Sequence, residues 1–559
     1  MMKVGELAVK KGLITQQQLQ LALQEGRTSG EIIGKVLVKL GFLTSEQLLE
    51  TLAEQMGLPF YKTLKSFVIS PDVVRMVPAR FVWHYKFMPL SLSGRTITIA
   101  VSDPLAVWMA EDLKLNLGFD VDRVLTTEKE ILDSIRQHYG VGSETVEEIL
   151  ARPNAPVAEQ VREKAAAIEG HASSEQDASV IKLVNQILTE AVLARATDIH
   201  IEIFRDRAVV RQRIDGILYE MRMSDQIRQL YGAVVSRIKI LSSLNVVEKR
   251  LPQDGRAIIK VKNDPVDLRI SIVPSIYGEN VVIRILPINL LYSLDYLGFA
   301  PHDLATLNDL MLKPHGIIFL TGPTGSGKTT TLYACLSQLN KQQVKIITIE
   351  DPVEYELPGI MQIQVRPEIG LTFASSLRSI LRHDPDVMMV GEVRDHETAE
   401  LAIRTALTGH LIFSTLHTND APSGAPRLMD IGLEPYLVAS SVNAFIAQRL
   451  VRVICPDCKE EVRDPGPLPE SLAGVKIFRG RGCEKCQSVG YKGRTAIYEL
   501  LPVRDEIQEL IIRKASAGQI RQKAQEMGLT TLHAAGIEKI RQGVTTWQEV
   551  MRVTEFDGH

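Results

Sequence analysis

The sequence predicts a multidomain α/β protein whose second half is built around one α/β core. From residue 287 to about 448, short apolar strands alternate with helices and with loops rich in glycine or carboxylates, a pattern typical of a largely parallel sheet. At 559 residues the chain exceeds one ordinary domain, and its 45% hydrophobic and 23% charged residues are a normal globular mixture. We therefore expect several folded units in series.

Shifts in composition and periodicity predict four segments. An N-terminal helical and α/β module is followed by a linker rich in Ala, Glu, Pro and Ser, then by a mixed α/β domain, and last by the α/β core with its C-terminal helices. These segments are predicted at 1–140, 141–177, 178–286 and 287–559, in that order. Strands before the core are predicted at Thr96–Val101, Asp198–Ile203, Ala208–Ile214 and Asp267–Val273.

The first 57 residues contain an internal repeat. The segment Gly5–Thr15 recurs as Gly34–Thr44, and each copy continues into an amphipathic helix with spaced leucines. Thr15 and Thr44 are suited to cap those helices, because a threonine hydroxyl can accept an N–H of the first turn. The repeat predicts a small helical module made from a duplicated helix pair.

Charge and hydropathy limit the classes of function. A formal net charge of -3 argues against a globally basic nucleic-acid binder. No apolar run approaches the ~20 residues of a membrane-spanning helix, and Met1–Lys10 lacks the apolar centre of a signal peptide. We expect a cytoplasmic protein that reaches a membrane only through partners. Five cysteines in such a chain favour metal binding or free thiols over disulfides.

A glycine-rich loop between a strand and a helix is the strongest chemical signal. The strand Ile317–Thr321 runs into a segment that fits the phosphate-loop pattern G-x-x-x-x-G-K-[ST]. Backbone N–H groups and the helix N-terminus would bind phosphate oxygens, Lys328 would reach the β- and γ-phosphates of ATP, and Thr329 would ligate Mg²⁺. The predicted nucleotide-binding residues are Gly322, Pro323, Thr324, Gly325, Ser326, Gly327, Lys328, Thr329 and Thr330.

Three further apolar strands carry polar groups that would serve such a site. One leads into a loop containing Glu354, the second ends in Glu392, and the third is flanked by His410 and His417. Because the carboxyl ends of parallel strands meet at one crevice, carboxylates there can hold Mg²⁺ and orient water, and a histidine can contact the γ-phosphate.

The four motifs occur in the order found in the secretion ATPase superfamily. The segments Glu-Asp-Pro-Val-Glu at 350–354, Val-Gly-Glu at 390–392 and Thr-Leu-His-Thr-Asn-Asp at 415–420 resemble its Asp box, Walker B segment and His box. The chain thus resembles the assembly ATPases of type II secretion systems and type IV pili from about residue 179 onwards. The resemblance implies a RecA-like core at 287–559, preceded by an MshEN-like N-terminal domain of the type II secretion E type at 1–140.

The resemblance also implies roles for single residues. Glu354 would polarise the attacking water, Glu392 would support Mg²⁺, and His410 and His417 would sense or position the nucleotide. As alternatives, Glu350 and the aspartate after it can be strand-end caps, and His410 can be a hydrogen-bonded core histidine.

Arginines are the remaining candidates for stabilising the charge of a transferring phosphoryl group. Arg269 and Arg284 lie on predicted strands just before the core and resemble family positions where the preceding domain brings arginines to the nucleotide. Arg378, Arg382 and Arg394 are candidates within the core. The alternative for each arginine is a solvated or salt-bridged side chain.

Two cysteine knuckles predict a structural zinc site. Cys455 and Cys458 form one C-x-x-C pair, Cys483 and Cys486 form another, and 24 residues separate the pairs. Four protein thiolates complete a tetrahedral shell and leave no open position for catalysis. In the secretion ATPase superfamily that this chain resembles, the secretion and pilus assembly members carry this tetracysteine insertion, and the pilus retraction motors generally lack it. The resemblance therefore favours an assembly role.

These features together predict a cytoplasmic ATP hydrolase. The resemblance implies a homohexamer that drives pseudopilin or pilin polymerisation at the inner membrane. Its expected partners are a platform protein and a membrane-bound docking subunit, with no nucleic acid. The alternatives are a conjugation- or helicase-like nucleic-acid motor and a nucleotide-dependent scaffold that does not hydrolyse ATP. Type II secretion and type IV pilus assembly both stay open.

The N-terminal repeat resembles the cyclic-di-GMP-binding domain of some relatives. In the first copy, Gly5 follows the expected basic and apolar residues, Lys3 and Val4. In the second copy, Gly34 follows Ile32 and Ile33, and both glycines precede spaced leucines. Ile32, however, stands where an arginine is expected to stack on a base, and Gly26 stands where a glutamine is expected. The alternative is a module that docks on a membrane-bound partner and whose leucines form only a core.

Overall fold

The computed structural model describes residues 3–29, 32–104, 107–150, 175–286, 293–464 and 468–554. These residues belong to two compact units, Met1–Ile285 and Leu286–His559. None of the described helices is both long enough and apolar enough to cross a bilayer.

The N-terminal repeat folds as two helix pairs. Both predicted caps form, since the hydroxyls of Thr15 and Thr44 each accept a backbone N–H three residues on, at 3.2 Å. Alanine, leucine and isoleucine side chains from both copies, including Leu19 and Leu37, share one small core. The helices are α1 (Val4–Lys10), α2 (Gln16–Ser29), α3 (Ile33–Lys39) and α4 (Ser45–Met56).

A small α/β layer follows the repeat. Its sheet has the order β1-β2-β3, with β1 antiparallel and β3 parallel to β2. The strands are β1 (Phe87–Ser93), β2 (Thr96–Val101) and β3 (Asp120–Leu125). The helices are α5 (Pro71–Met76), α6 (Ala79–Tyr85), α7 (Val107–Leu117), α8 (Glu128–Tyr139) and α9 (Ser143–Leu150).

The prediction of a linker beginning at 141 is wrong for residues 143–150. These residues form α9, whose Val146 and Ile149 are buried in one core with Val180 and Leu183 of the next helix. The apolar side chains at helical spacing outweigh the local glutamates, and the Ala- and Pro-rich composition begins only after this helix. The rest of the predicted linker, 151–174, lies outside the described residues.

A mixed α/β domain completes the first unit. Helices α10 (Glu175–Leu193) and α11 (Ile227–Leu241) contribute apolar side chains to one core with a six-stranded sheet of order β6-β5-β4-β9-β8-β7. The predicted strand Ala208–Ile214 is observed with those bounds, and the other two predicted strands are longer than expected by two to five residues. The strands are β4 (Ala196–Ile203), β5 (Ala208–Ile214), β6 (Ile217–Met221), β7 (Gln253–Val261), β8 (Asp264–Ser275) and β9 (Gly278–Leu286).

The second unit is organised by a seven-stranded sheet of order β12-β11-β13-β14-β10-β15-β18. Its strand pairs are parallel except for β15 with β18. The central strands are buried along their whole length, which explains their continuous apolar sequences. The strands are β10 (Gly316–Thr321), β11 (Ile346–Glu350), β12 (Met361–Gln364), β13 (Val387–Val390), β14 (Leu411–Leu416), β15 (Val442–Ile454) and β18 (Tyr491–Pro502).

Helices cover this sheet. A short two-stranded ribbon lies between β15 and β18 along the chain, although these two strands pair directly with each other. The ribbon consists of β16 (Lys459–Glu461) and β17 (Phe478–Gly480). The helices are α12 (Pro301–Met311), α13 (Lys328–Leu339), α14 (Phe373–Ile380), α15 (His396–Leu407), α16 (Gly424–Asp430), α17 (Pro435–Ser441), α18 (Asp505–Ile512), α19 (Ala517–Glu526), α20 (Leu532–Arg541) and α21 (Trp547–Thr554). This arrangement brings the carboxyl ends of β10, β11, β13 and β14 to one edge of the sheet.

Candidate active site

The phosphate loop lies between β10 and α13, as its sequence context predicts. Gly322, Gly325 and Gly327 all have positive φ angles, 143°, 80° and 92°. A Cβ on Gly327 would lie 2.8 Å from the Gln448 amide nitrogen, so this position needs glycine for space as well as for conformation. The loop therefore presents its backbone N–H groups at the start of α13, where the helix dipole favours an anion.

Two polar side chains of the loop are arranged for an anionic ligand. The Lys328 ammonium donates to the carbonyl oxygens of Gly322 and Pro323 at 2.6 and 3.2 Å. Burial lowers the pKa of Lys328 to about 8, and a phosphate would favour the charged form again. The Ser326 hydroxyl is buried and has no hydrogen-bond partner among the described residues. Phosphate oxygens would satisfy both groups, so the loop fits a nucleotide phosphate.

Glu392 lies two residues after the end of β13, and the neighbouring strand holds the backbone before it. The Thr415 hydroxyl of β14 donates to the Gly391 carbonyl at 2.8 Å, which fixes the backbone before Glu392. One Glu392 carboxylate oxygen lies 2.6 Å from Arg394, and the other lies 3.3 Å from the His417 Nε2. The Glu392 charge also acts on Lys328, for which it favours the protonated form. Glu392, Arg394 and His417 thus form one cluster near the phosphate loop.

The two glutamates around the Asp box have different environments. Glu350, the last residue of β11, is only 3% exposed and accepts hydrogen bonds from Tyr333, Thr348 and Gln362. Glu354 lies in the following loop and is half-buried. Glu350 is an internal anchor, since both its oxygens accept hydrogen bonds within the protein, and Glu354 is the more exposed carboxylate of the two.

His410 is not brought to this edge of the sheet. It precedes β14, and its carbonyl accepts the Gly316 N–H at the beginning of β10. Its Nδ1 lies 3.2 Å from the Thr405 carbonyl. Since β14 runs from His410 to His417, the two histidines lie at opposite ends of a six-residue strand. A nucleotide contact at His410 is thus not supported by the geometry of this chain, whereas His417 lies with Glu392.

Comparison with family models assigns the chain. A model of the family described as Type II/IV secretion system protein matches residues 173–552, and a model of the MshEN domain matches residues 56–145. The chain belongs to the Type II/IV secretion system protein family. The predicted family and the predicted α/β fold class with its ATPase core are thereby confirmed.

Two curated relatives of this secretion-family protein match it over nearly its whole length. The type IV pilus assembly ATPase PilB of Myxococcus xanthus is 40% identical over 99% of both chains. Type II secretion system protein E of Xanthomonas campestris is 39% identical over 99% of this chain and 98% of the relative. The DotB ATPase structure of Yersinia pseudotuberculosis, at 20% identity, has a TM-score of 0.51 and covers 70% of this chain and 96% of that one. At this identity the structural likeness concerns the fold alone.

The four predicted zinc ligands meet at one point in the second unit. Their sulfur atoms all lie within 4.8 Å of one another. The Cys455–Cys483, Cys458–Cys486 and Cys483–Cys486 sulfur distances are 3.8, 3.8 and 3.7 Å. Four thiolates about 2.3 Å from one zinc ion would be ~3.8 Å apart, so the cluster has the dimensions of a tetrahedral zinc shell.

Backbone N–H groups favour a thiolate at Cys486, whereas burial raises the pKa of Cys455 and Cys458. The Cys486 sulfur accepts the N–H groups of Cys483 at 3.1 Å and Gly490 at 3.2 Å. Burial opposes ionisation, but these hydrogen bonds lower the pKa of Cys486 to about 7. The donor set therefore fits a soft divalent cation such as Zn²⁺.

The strand arginines belong to the first unit of this family member, and the phosphate loop belongs to the second. Arg284 on β9 donates to an Asp198 oxygen at 3.1 Å, and Arg213 lies 3.8 Å from the other Asp198 oxygen. Arg269 on β8 lies directly opposite Arg256 of β7 in the antiparallel strand register. The Arg284 side chain is 56% exposed, whereas its partner Asp198 is only 13% exposed.

Sequence reasoning missed a set of polar residues behind the phosphate loop. Gln448 accepts the Thr331 hydroxyl at 2.9 Å, and Arg449 donates to the Asn419 carbonyl at 2.8 Å. Glu499 accepts the Ala421 N–H at 2.9 Å, and burial raises its pKa to about 6. A signal was available, because a polar residue inside a continuous apolar strand must find a buried partner.

Proposed function

We propose that this protein is a motor that hydrolyses ATP to power the assembly of a type II secretion pseudopilus or a type IV pilus. One observation carries the proposal: the phosphate loop, the Glu354 loop and the cluster of Glu392 and His417 follow strands that end at one edge of the sheet. The Myxococcus xanthus relative is named a type IV pilus assembly ATPase, and the Xanthomonas campestris relative is named a type II secretion system protein, which supports the proposal. Docking on an inner-membrane platform protein from the cytoplasmic side is part of the proposal.

The residues of the site divide the work of phosphoryl transfer to water. The loop N–H groups and Lys328 would bind and orient the phosphates. Glu354 would orient the attacking water, and His417 would contact the terminal phosphate. Thr329 and Glu392 are the proposed Mg²⁺ ligands, and when bound the ion would neutralise phosphate charge. Arg394 beside Glu392 is a further candidate for contacting the nucleotide.

The assembly state is the second part of the proposal. In a homohexamer, Arg269 and Arg284 would stabilise the charge of the phosphoryl group in transfer. Specific activity should therefore rise with protein concentration until assembly is complete. The rate of phosphate release per chain, measured across a dilution series together with the mass of the particle, tests this expectation. A monomer with full, concentration-independent activity would contradict it.

Replacing Arg284 with Ala should lower kcat at least about tenfold and change ATP affinity much less, because the lost contact is made in the transition state. Arg213→Ala is the matched control, since it removes the other arginine near the same Asp198 carboxylate. The two variants are compared by steady-state kinetics at a concentration where both are assembled. Equal losses of kcat in both variants would show that the loss comes from disturbing the ion pairs of Asp198 and not from a contact of Arg284 with the nucleotide.

For the N-terminal module we propose docking on a membrane-bound partner, with cyclic-di-GMP binding as the alternative. A Cβ on Gly5 would lie 2.4 Å from Leu19, and one on Gly34 would lie 3.0 Å from Leu48. Close packing between helices thus accounts for the repeated glycines without a ligand. Leu23 and Ile32 are exposed, so either the partner protein or cyclic-di-GMP could contact them.

Calorimetry on the full-length protein separates the two occupants. With the phosphate loop saturated by Mg-ADP, titration with cyclic-di-GMP up to tens of micromolar should give no saturable heat. The excess ADP is the control against binding at the phosphate loop. A saturable signal of one ligand or ligand dimer per chain would instead assign the module to nucleotide binding.

A further inference from the structure

Tyr333 connects the helix of the phosphate loop to the loop that carries Glu354. It lies on α13, five residues after Lys328, and is only 1% exposed. Its hydroxyl donates to Glu350 at the end of β11 and accepts the Glu354 N–H at 3.4 Å. Its ring also packs edge-to-face on Tyr355, with centroids 4.6 Å apart. One buried side chain thus contacts both ends of the short segment from Glu350 to Tyr355.

The other partners of Glu350 complete a buried polar network. The Thr348 hydroxyl donates to one Glu350 oxygen at 2.5 Å, and the Gln362 amide donates to the same oxygen at 3.1 Å. Tyr333, Thr348 and Gln362 all donate to the carboxylate, so both of its oxygens act as acceptors. A buried carboxylate with all its partners in place is a rigid anchor, because removing any partner leaves an unsatisfied group.

Gln362 extends the network along the loop after Glu354. Its amide nitrogen lies 3.2 Å from the Tyr355 carbonyl, and its amide oxygen accepts the Leu357 N–H at 2.7 Å. These two contacts fix which way the amide points. The backbone on both sides of Glu354 is therefore tied to the sheet and to α13.

We propose that Tyr333 and Glu350 are positioning residues that set the location of Glu354 relative to the phosphate loop. The inference rests on the proposed function, in which Glu354 orients the attacking water. The first turn of α13 binds the phosphates and Tyr333 follows on the same rigid helix, so the pair fixes Glu354 relative to the bound phosphates. Neither Tyr333 nor Glu350 needs to touch the nucleotide to do this.

Tyr333→Phe tests the proposal, because it removes the hydroxyl and keeps the ring on Tyr355. We expect kcat for ATP hydrolysis to fall about tenfold or more, since a small misplacement of a reacting group is costly, and KM to stay within about twofold. Tyr498→Phe is the matched control. Tyr498 is equally buried, and its hydroxyl lies 3.2 Å from Thr331 on the same helix but does not contact the Glu354 loop. Its kcat should stay within about twofold of wild type.

A double variant distinguishes a positioning role of Tyr333 from a general effect on stability. In Glu354→Gln protein, adding Tyr333→Phe should lower kcat by less than about twofold, because the residue through which Tyr333 acts is already lost. Normal kcat in Tyr333→Phe, equal losses in the two tyrosine variants, or a full further loss in the Glu354→Gln background would each overturn the proposal. If Tyr333→Phe fails to fold, Gln362→Met should give the same pattern with a smaller loss, and a normal kcat there would overturn it as well.

Failure of the proposed function has a different signature. Wild-type protein that releases no phosphate from Mg-ATP, or Glu354→Gln protein as fast as wild type, would remove the catalytic role of Glu354 and with it the positioning role. Active wild type, slow Glu354→Gln and a normal Tyr333→Phe would leave the function standing and reject only the positioning pair.

Discussion

Replacing Glu354 with Gln should lower kcat for ATP hydrolysis by about 10²–10⁴-fold, because a neutral amide can neither polarise the attacking water nor accept its proton. Nucleotide affinity should change little, since in the proposed site the loop N–H groups and Lys328 bind the phosphates. Steady-state phosphate release and equilibrium binding of a fluorescent nucleotide measure the two quantities separately.

Two further variants serve as controls for the Glu354→Gln experiment. Glu356→Gln removes an exposed carboxylate from the same loop, two residues further on, and should keep near-normal turnover. Lys328→Ala removes the ammonium proposed to contact the phosphates and should lose both binding and turnover. Near-normal turnover in Glu354→Gln would contradict the assignment and make Glu350 the next candidate to test, although Glu350 is buried and accepts three hydrogen bonds within the protein.

Zinc removal is the second change with a large expected effect. Purified protein should hold about one zinc ion per chain, and Cys458→Ser should lose it, because a serine hydroxyl is a poor substitute for a thiolate ligand. Structural zinc can contribute ~10–16 kcal/mol to a small metal-dependent fold. The ribbon between β15 and β18 should therefore become susceptible to protease after chelation, while nucleotide binding at the phosphate loop persists.

Cys335 provides the control for the zinc experiment. It is the one cysteine outside the cluster and is fully buried in α13. Cys335→Ser should keep the zinc, although a buried hydroxyl in an apolar core lowers stability. Metal analysis that finds no zinc in protein purified without chelators would contradict the structural site.

The sequence predicted the phosphate loop, the cysteine knuckles and strands β2 and β5 because local chemistry dictates each of them. A phosphate loop needs glycines and lysine at fixed spacing, and a zinc knuckle needs two cysteines three residues apart. The four cysteines then meet because β15 and β18 pair, which places both knuckles at the same end of these strands.

Features that depend on tertiary position were harder to predict. His410 and His417 flank one strand, and sequence alone grouped them although the strand separates them. Glu350 and Glu354 lie four residues apart, and only the structure shows that the first is buried and accepts a hydrogen bond from Tyr333. Local composition predicts a linker at Ser143–Leu150, because the apolar side chains on which this helix packs lie beyond residue 178.

Phosphate release from Mg-ATP by full-length protein, compared with Lys328→Ala and measured with and without DNA, tests the central claim most directly. We predict saturable turnover that depends on Lys328 and is unchanged by DNA. Absent turnover would favour a scaffold that only binds nucleotide, and turnover strongly stimulated by DNA would favour a nucleic-acid motor; either result would contradict an assembly ATPase.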